Sequence, residues 1–234
     1  MLDVIMLSYG EPSADENFHN LLKVVPHARR IDGIDGLLNA HQAAAKTSST
    51  DYFYVVDADA IISQNFAFKF KPSASREAYP GVLETECVFT YRSHNPINDL
   101  VYGYGGVKLF PKKNLLATTE FKVDMTTSIG ATFKPLFEIA NITAFNTDPF
   151  NTWRSAFREC TKLASNIIDH NKQIDDAYRL EVWTTRGQNR KFGEYALIGA
   201  EQGKGFGEDY RDNPDALEKI NDWVWLRNVF NESV

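Results

Sequence analysis

Residues 52–56, Tyr-Phe-Tyr-Val-Val, are β-formers in an unbroken row with no polar member. A strand with one face in water alternates apolar and polar residues. This run does not alternate, which predicts a strand buried on both faces of a central sheet. It stops at Asp57-Ala58-Asp59. Two carboxylates two residues apart, where a buried strand emerges, are costly unless something neutralises them. A divalent cation carrying a diphosphate meets that need. Mg²⁺ and Mn²⁺ prefer carboxylate and phosphate oxygens and take only one or two protein carboxylates. Asp57 and Asp59 are therefore the expected metal ligands, and the small Ala58 leaves room for a ligand between them. Asp is also a common turn residue, and it is the hydrophobic strand directly ahead that favours a site.

The residues ahead of this run supply the rest of a sheet. Asp3 to Ser8 is a short apolar run and a predicted inner strand, broken by Tyr9-Gly10-Glu11-Pro12. Ser13 to Val24 reads as a helix, with Ser13 and Glu16 spaced as a capping box. Ala28 to Ile31 is a second strand, and Leu37 to Lys46, rich in Ala and Leu, a second helix. Strand, helix, strand, helix, strand predicts a βαβαβ half of a Rossmann-like α/β sheet.

Beyond Ala60 the pattern loosens. Phe66 to Phe70, Glu86 to Tyr91, Val107 to Phe110 and Ile139 to Phe145 read as strands. Ser73 to Pro80, Arg92 to Asn98 and Asp124 to Ser128 read as polar connections. Trp153 to His170 is a long amphipathic helix. From Lys172 the chain reads as mostly helix with a Gly-rich break at Gly203–Gly207, and Ala216 to Phe230 forms the last helix. The expected division is a core over residues 1–155, with a helical C-terminal part over 156–234 packed on the same domain.

Composition limits the functional classes. A net charge of −6 gives no overall attraction to nucleic acid, so any such binding needs a local basic face. Cys87 and Cys160 are the only cysteines and lie far apart, which fits a reducing cytoplasm and no zinc signature. The N-terminus has no basic region ahead of its apolar run and reads as a strand, not a signal peptide. No apolar run approaches the ~20 residues of a membrane helix, so no membrane partner is expected.

Four stretches carry candidate chemistry. Ligands of open α/β sheets bind outside the carboxyl ends of the strands, which selects Ser8, Tyr9 and Glu11 after the first strand for a nucleobase. Asp32 and Gly36 follow the second strand. The helix start at Gly36 offers backbone N–H groups to a diphosphate, with Asn39 one turn on. His41 reads as a surface or half-buried helix histidine. Arg92, Tyr102, Tyr104, Gly105, Gly106 and Lys108 form a third group, in which YGYGGVKLFP joins flat aromatic faces to glycines that admit a ligand and to a lysine that could face a phosphate. Asp148 before Pro149 is an ideal helix start. The Gly203–Gly207 segment carries Lys204 and could close over a diphosphate, but it is not a Walker loop.

Asp57-x-Asp59 behind a βαβαβ half, followed by a Gly/Tyr loop, resembles the GT-A class of nucleotide-sugar glycosyltransferases. The resemblance covers roughly residues 3 to 60, and more loosely continues to about 155. It implies a mixed sheet flanked by helices, a nucleotide-diphosphate sugar as donor, and Mn²⁺ or Mg²⁺ held by Asp57 and Asp59. It implies cofactor binding by Ser8, Tyr9, Glu11, Asp32, Gly36, Asn39 and Asp57, with the acceptor and sugar near residues 92–108. Asp148 matches the place of the catalytic base in inverting members, although no acidic neighbour accompanies it. The C-terminal His that is often a third metal ligand has no counterpart after His170. The unit YGYGGVKLFP and the small size also look like virus-encoded transferases that glycosylate hydroxymethylated pyrimidines in double-stranded DNA, which would act in the host cytoplasm. Lys108, Lys112, Lys113, Arg186, Arg190, Lys191 and Lys204 would have to line a groove for that acceptor. A carbohydrate acceptor, a nucleotidyltransferase and a non-catalytic nucleotide-sugar-binding module are the alternatives. A nucleotidyltransferase usually carries a Gly-rich, Arg/Lys-bearing loop after its first strand, which Tyr9-Gly10-Glu11-Pro12 lacks.

Overall fold

The computed structural model describes residues 1–103, 105–121, 124–129, 132–167 and 173–234. They divide into two compact units, one of residues 1–94, 101–121 and 125–144, the other of 95–100, Asp124 and 145–234. The boundary expected at 155 therefore falls ahead of the long helix, at 144/145.

The first unit is an α/β sheet of mixed direction. Its strands are β1 (Asp3–Ser8), β2 (Arg29–Asp32), β3 (Tyr52–Asp57), β4 (Ala60–Ile62), β5 (Glu77–Tyr79), β6 (Val82–Leu83), β7 (Cys87–His94), β8 (Val101–Tyr102), β9 (Val107–Pro111) and β10 (Thr132–Thr143). The main sheet runs β2-β1-β3-β9-β7-β10-β4, with β8 on β7, while β5 and β6 form a separate ribbon. β2, β1 and β3 are parallel, and β9 enters antiparallel between β3 and β7. Helices α1 (Ala14–Val24) and α2 (Leu37–Thr47) cross over between the first three strands. Short helices α3 (Lys112–Ala117) and α4 (Met125–Ser128) also belong to this unit.

β3 is buried on both faces, as its unbroken apolar run requires. Tyr52, Tyr54 and Val56 join Val4, Met6, Tyr91 and Leu109 in a layer closed by Leu21 of α1. Phe53 and Val55 join Ile5 and Phe110 in the opposite layer, closed by Ala44 and Ala45 of α2. Each such side chain contributes about 1.5–3 kcal/mol by leaving water. Five in succession hold β3 at the centre of its unit.

The second unit is helical: α5 (Pro149–Ser165), α6 (Gln173–Thr185), α7 (Gly193–Asp209), α8 (Pro214–Glu218) and α9 (Trp223–Ser233). Asp148 starts α5 by accepting the Asn151 backbone N–H at 2.8 Å, with Pro149 at the first turn. α7 lies against α5 with almost no side chain between them. A Cβ on Gly199 would stand 2.3 Å from the Trp153 carbonyl oxygen, one on Gly203 2.1 Å from that of Phe157, and one on Gly207 2.5 Å from that of Thr161. Thr161 Oγ1 donates across the seam to the Gly203 carbonyl at 3.0 Å. An aromatic core closes the unit: Trp153 stacks on Phe157 at 4.9 Å, Arg154 lies 3.6 Å over Trp223, and Arg227 lies 3.4 Å over Phe150.

Several sequence expectations change. Gly203–Gly207 is not a break but the interior of α7, because close helix packing needs small residues every fourth position. Phe66 to Phe70 is no strand; Phe66 and Phe68 are buried in the core from an irregular segment, with Phe68 at φ 48°. Strand structure appears where loops were expected: β5 lies within Ser73–Pro80, and β7 runs on to His94 because β8 and β10 pair with its end. Asp124–Ser128 holds α4. β10 begins seven residues before Ile139. Ser13 makes no side-chain cap bond. α5 ends at Ser165, with Asn166 left-handed. The expected last helix is split, since Asp222 accepts from the N–H groups of Val224 and Trp225 and starts a new one.

The glycine seam makes two neighbouring positions respond oppositely. Gly203→Ala should lower unfolding stability in urea by about 3 kcal/mol, near the upper range for overpacking. A Cβ on Gly205 meets nothing within 4 Å, so Gly205→Ala should raise stability by up to about 1 kcal/mol through helix propensity. Equal effects at the two positions would refute the packing account.

Candidate active site

The order β2-β1-β3 means that the chain leaves β1 to one side, then returns to the other. α1 and α2 accordingly cover opposite faces. Neighbouring connections that diverge in this way leave a crevice at the carboxyl ends of β1 and β3. Three adjacent parallel strands end there in polar residues: Asp32, Ser8 and Asp57, with Ser8 opposite Asp32 and Leu7 opposite Asp57.

Ser8 and Asp32 are brought together. Ser8 Oγ donates to Asp32 Oδ1. Arg30 Nε donates to Ser8 Oγ at 2.7 Å, its Nη2 to Asp32 Oδ1 at 3.0 Å, and its Nη1 to Asp15 of α1. The Ser8 hydroxyl, then the guanidinium, hold the Asp32 carboxyl below the usual carboxylate range. Glu11 is turned inward on its own loop, where its carboxylate accepts the Tyr9 N–H at 2.6 Å, and the Tyr9 ring is exposed. Gly36 has φ 83° and precedes α2, which has no side-chain cap. The Asn39 amide donates back to the Asp35 carbonyl at 3.0 Å. His41 is a core residue, edge-on to Phe110 at 5.3 Å, not a surface one.

The Asp57–Asp59 backbone is held at three successive residues. The Asp57 N–H donates to the Gly106 carbonyl at 2.7 Å. The Asn17 amide donates to the Ala58 carbonyl at 2.8 Å, and the Ala144 N–H to the Asp59 carbonyl at 2.7 Å. Lys108 on β9 sits opposite Val55, so its side chain reaches Asp57 diagonally across the pair. Its Nζ lies 2.9 Å from Asp57 Oδ2, with the lysine side chain 14% and the aspartate 39% exposed. Lys108 thus faces a carboxylate, not an open phosphate position.

The glycines after β8 have a different use from the one their sequence suggests. A Cβ on Gly105 would stand 2.4 Å from Ser93 Cβ, and one on Gly106 2.6 Å from Ala60 Cβ. Neither has positive φ. They admit neighbouring strands, not a ligand. Beside them Ser93 and Thr143 share a hydroxyl bond at 2.7 Å, and the Asn141 amide reaches Thr143 Oγ1 at 3.2 Å. Asn141 Oδ1 is buried without a hydrogen-bond partner. Tyr102 on β8 pairs with Ser93, and Arg92 lies 4.9 Å over the Phe137 ring. Tyr104 lies outside the described residues. Asp148 belongs to the second unit, and both its carboxylate oxygens accept from Asn151.

No group of three or more His, Cys, Asp and Glu side chains among the described residues is arranged to hold a metal ion. Two carboxylates alone do not make a protein-only cage. A cation held there would need phosphate oxygens and water as its remaining ligands, the usual arrangement for Mg²⁺. Arg30 and Asn17 are the contributors that local sequence reading passes over. Asn17 had a signal: it is a polar residue on the buried stripe of α1, between Ala14 and Leu21.

These features define an α/β protein with a mixed sheet, a row of polar residues at its strand ends and a separate helical unit. No protein-family profile matches the chain, and no curated protein matches it. Among solved structures it is similar to HddC from Yersinia pseudotuberculosis, at 13% identity and a TM-score of 0.36, over 60% of this chain and 92% of that one. Among the described residues no helix is long and apolar enough to cross a membrane.

Gly105→Ala tests the strand-packing role. Unfolding in urea should show a loss of about 2–3 kcal/mol, as overpacking predicts. Wild-type stability with impaired ligand binding would instead return the glycine to the ligand.

Proposed function

We propose that this protein is a nucleotide-sugar transferase of GT-A type. It would move a sugar from a nucleotide-diphosphate donor to an acceptor hydroxyl. The observation that supports this reading is the row Asp32, Ser8, Asp57 across the ends of three parallel strands at the sheet's reversal of direction. Asp32, set by Ser8 and Arg30, offers a carboxylate to donor hydroxyl or base N–H groups. The exposed Tyr9 ring offers a stacking face for the base. Asp57 and Asp59 would hold Mg²⁺ or Mn²⁺, which supplies charge stabilisation for the leaving nucleoside diphosphate. The anchored backbone from Asp57 to Asp59 fixes the points from which those two carboxylates extend.

The acceptor in this proposal is a hydroxymethylated pyrimidine in duplex DNA. Lys108 and Lys112 do not serve it, since they bond Asp57 and the Ser48 carbonyl. Lys113, Arg186 and Lys191 are exposed. A nucleotidyltransferase is the second reading, favoured by Arg30, which brings to the end of β1 a guanidinium that the loop itself lacks.

A thermal-shift panel of nucleotide sugars, with and without Mn²⁺, tests the donor. At a hundredfold excess over Kd, a donor should add ~2.7 kcal/mol and raise Tm by about 5–10 °C. Product analysis separates the two enzymes: a glycosyltransferase releases nucleoside diphosphate from the nucleotide sugar, and a nucleotidyltransferase releases pyrophosphate from a nucleoside triphosphate and a sugar phosphate. Binding to hydroxymethylated duplex DNA should fall with salt at a log–log slope of about −0.9 per neutralised phosphate. A flat slope with transfer to a free sugar would replace DNA by a carbohydrate acceptor. No shift with any nucleotide sugar would overturn the proposal.

A further inference from the structure

The D-x-D carboxylate that should take a metal already has a cation on it. Lys108 Nζ sits 2.9 Å from Asp57 Oδ2, and the lysine is the more buried of the two side chains. Asp57 cannot leave the pair by moving its backbone, because its N–H is bonded to Gly106, and the next two carbonyls to Asn17 and Ala144. A lysine on four methylenes can leave. A dication and an ammonium on the same carboxylate repel each other at short range. With Asp57 and Asp59 the two carboxylates at the end of β3 among the described residues, a dication there would take further oxygens from the diphosphate it carries.

We infer that Lys108 is an exchangeable cation, an inference that rests on the nucleotide-sugar reading above. Without ligand its ammonium neutralises Asp57 and opposes metal binding. When a diphosphate arrives with its dication, the dication takes the carboxylate and the ammonium moves to a phosphate oxygen. No bond is made or broken; two ion pairs exchange partners. Lysine and metal are therefore antagonists on the empty protein and allies once the diphosphate is bound. This makes Lys108 a positioning residue for the donor, and it keeps the site from loading metal alone.

The test reads metal binding, not turnover. Free Mn²⁺ is titrated by electron paramagnetic resonance against the whole protein, alone and with pyrophosphate as the diphosphate probe. Lys108→Met should bind Mn²⁺ alone at least tenfold more tightly than wild type, and Mn²⁺-pyrophosphate at least tenfold more weakly. Lys108→Arg keeps the charge and should stay near wild type in both arms. Lys108→Gln replaces the Met variant if circular dichroism shows that one unfolded. Mn²⁺ affinity that is equal or weaker in the neutral variants overturns the exchange while leaving the metal site standing. Mn²⁺ binding to neither wild type nor variant, with or without pyrophosphate, overturns both. Tighter binding of Mn²⁺ alone with unchanged pyrophosphate binding overturns the move to phosphate, and with it the exchange.

Discussion

Everything in the first unit depends on a strand that has no side fit for water. β3 carries aromatic and branched residues on both faces, so it is stable only between two apolar layers. α1 supplies one layer and α2 the other, and this forces the two crossovers to opposite faces. The divergence of those crossovers is what leaves an opening beyond β1 and β3. The switch point and the core are thus two results of one demand for burial, and Asp57 and Asp59 are half-buried residues among the buried Val56, Ala58 and Ala60.

Around that opening the backbone is fixed more firmly than the side chains. Amide and carbonyl groups from Asn17, Gly106 and Ala144 pin three consecutive residues, drawn from α1, the approach to β9 and the end of β10. The charged groups, by contrast, sit on flexible stems: Arg30 bridges Ser8, Asp15 and Asp32, and Lys108 bridges to Asp57. A rigid frame bearing adjustable charges would suit the uptake and release of the highly charged donor proposed above.

The sequence was most legible where one local rule dominated. β1 begins and ends at Asp3 and Ser8 as read from its apolar run, and α2 follows from its Ala and Leu content. Asp148 starts α5 as an acidic residue before proline should. What stayed hidden depends on partners far along the chain. β10 starts at Thr132 because β7 offers it a ladder, although its first half is no more than half-buried and contains Pro135. The pairing of Lys108 with Asp57 follows from the β3–β9 register, which brings together residues 51 positions apart. The glycines misled in both units for the same reason. A missing side chain signals a loop, a ligand or a close neighbour, and only the neighbour tells which. At Gly105 it is Ser93, and at Gly203 it is the main chain of Phe157.

The seam in the helical unit has a directional consequence. Gly199, Gly203 and Gly207 meet Trp153, Phe157 and Thr161 in the same order, so α5 and α7 run the same way. Both helices then present their positive ends on one side, where Asp148 and Glu194 supply negative charge to the two first turns. Like-directed helices also cannot be joined by a tight turn. The chain between residues 165 and 193 must travel back the full length of α5, about 25 Å at 1.5 Å per residue. α6, with 13 residues, is roughly 20 Å long, and its Trp183 lies 5.8 Å from Phe145, just ahead of the start of α5. Deletions in this connection would therefore be felt not as a shortened surface loop but as a helix unable to reach the start of its groove.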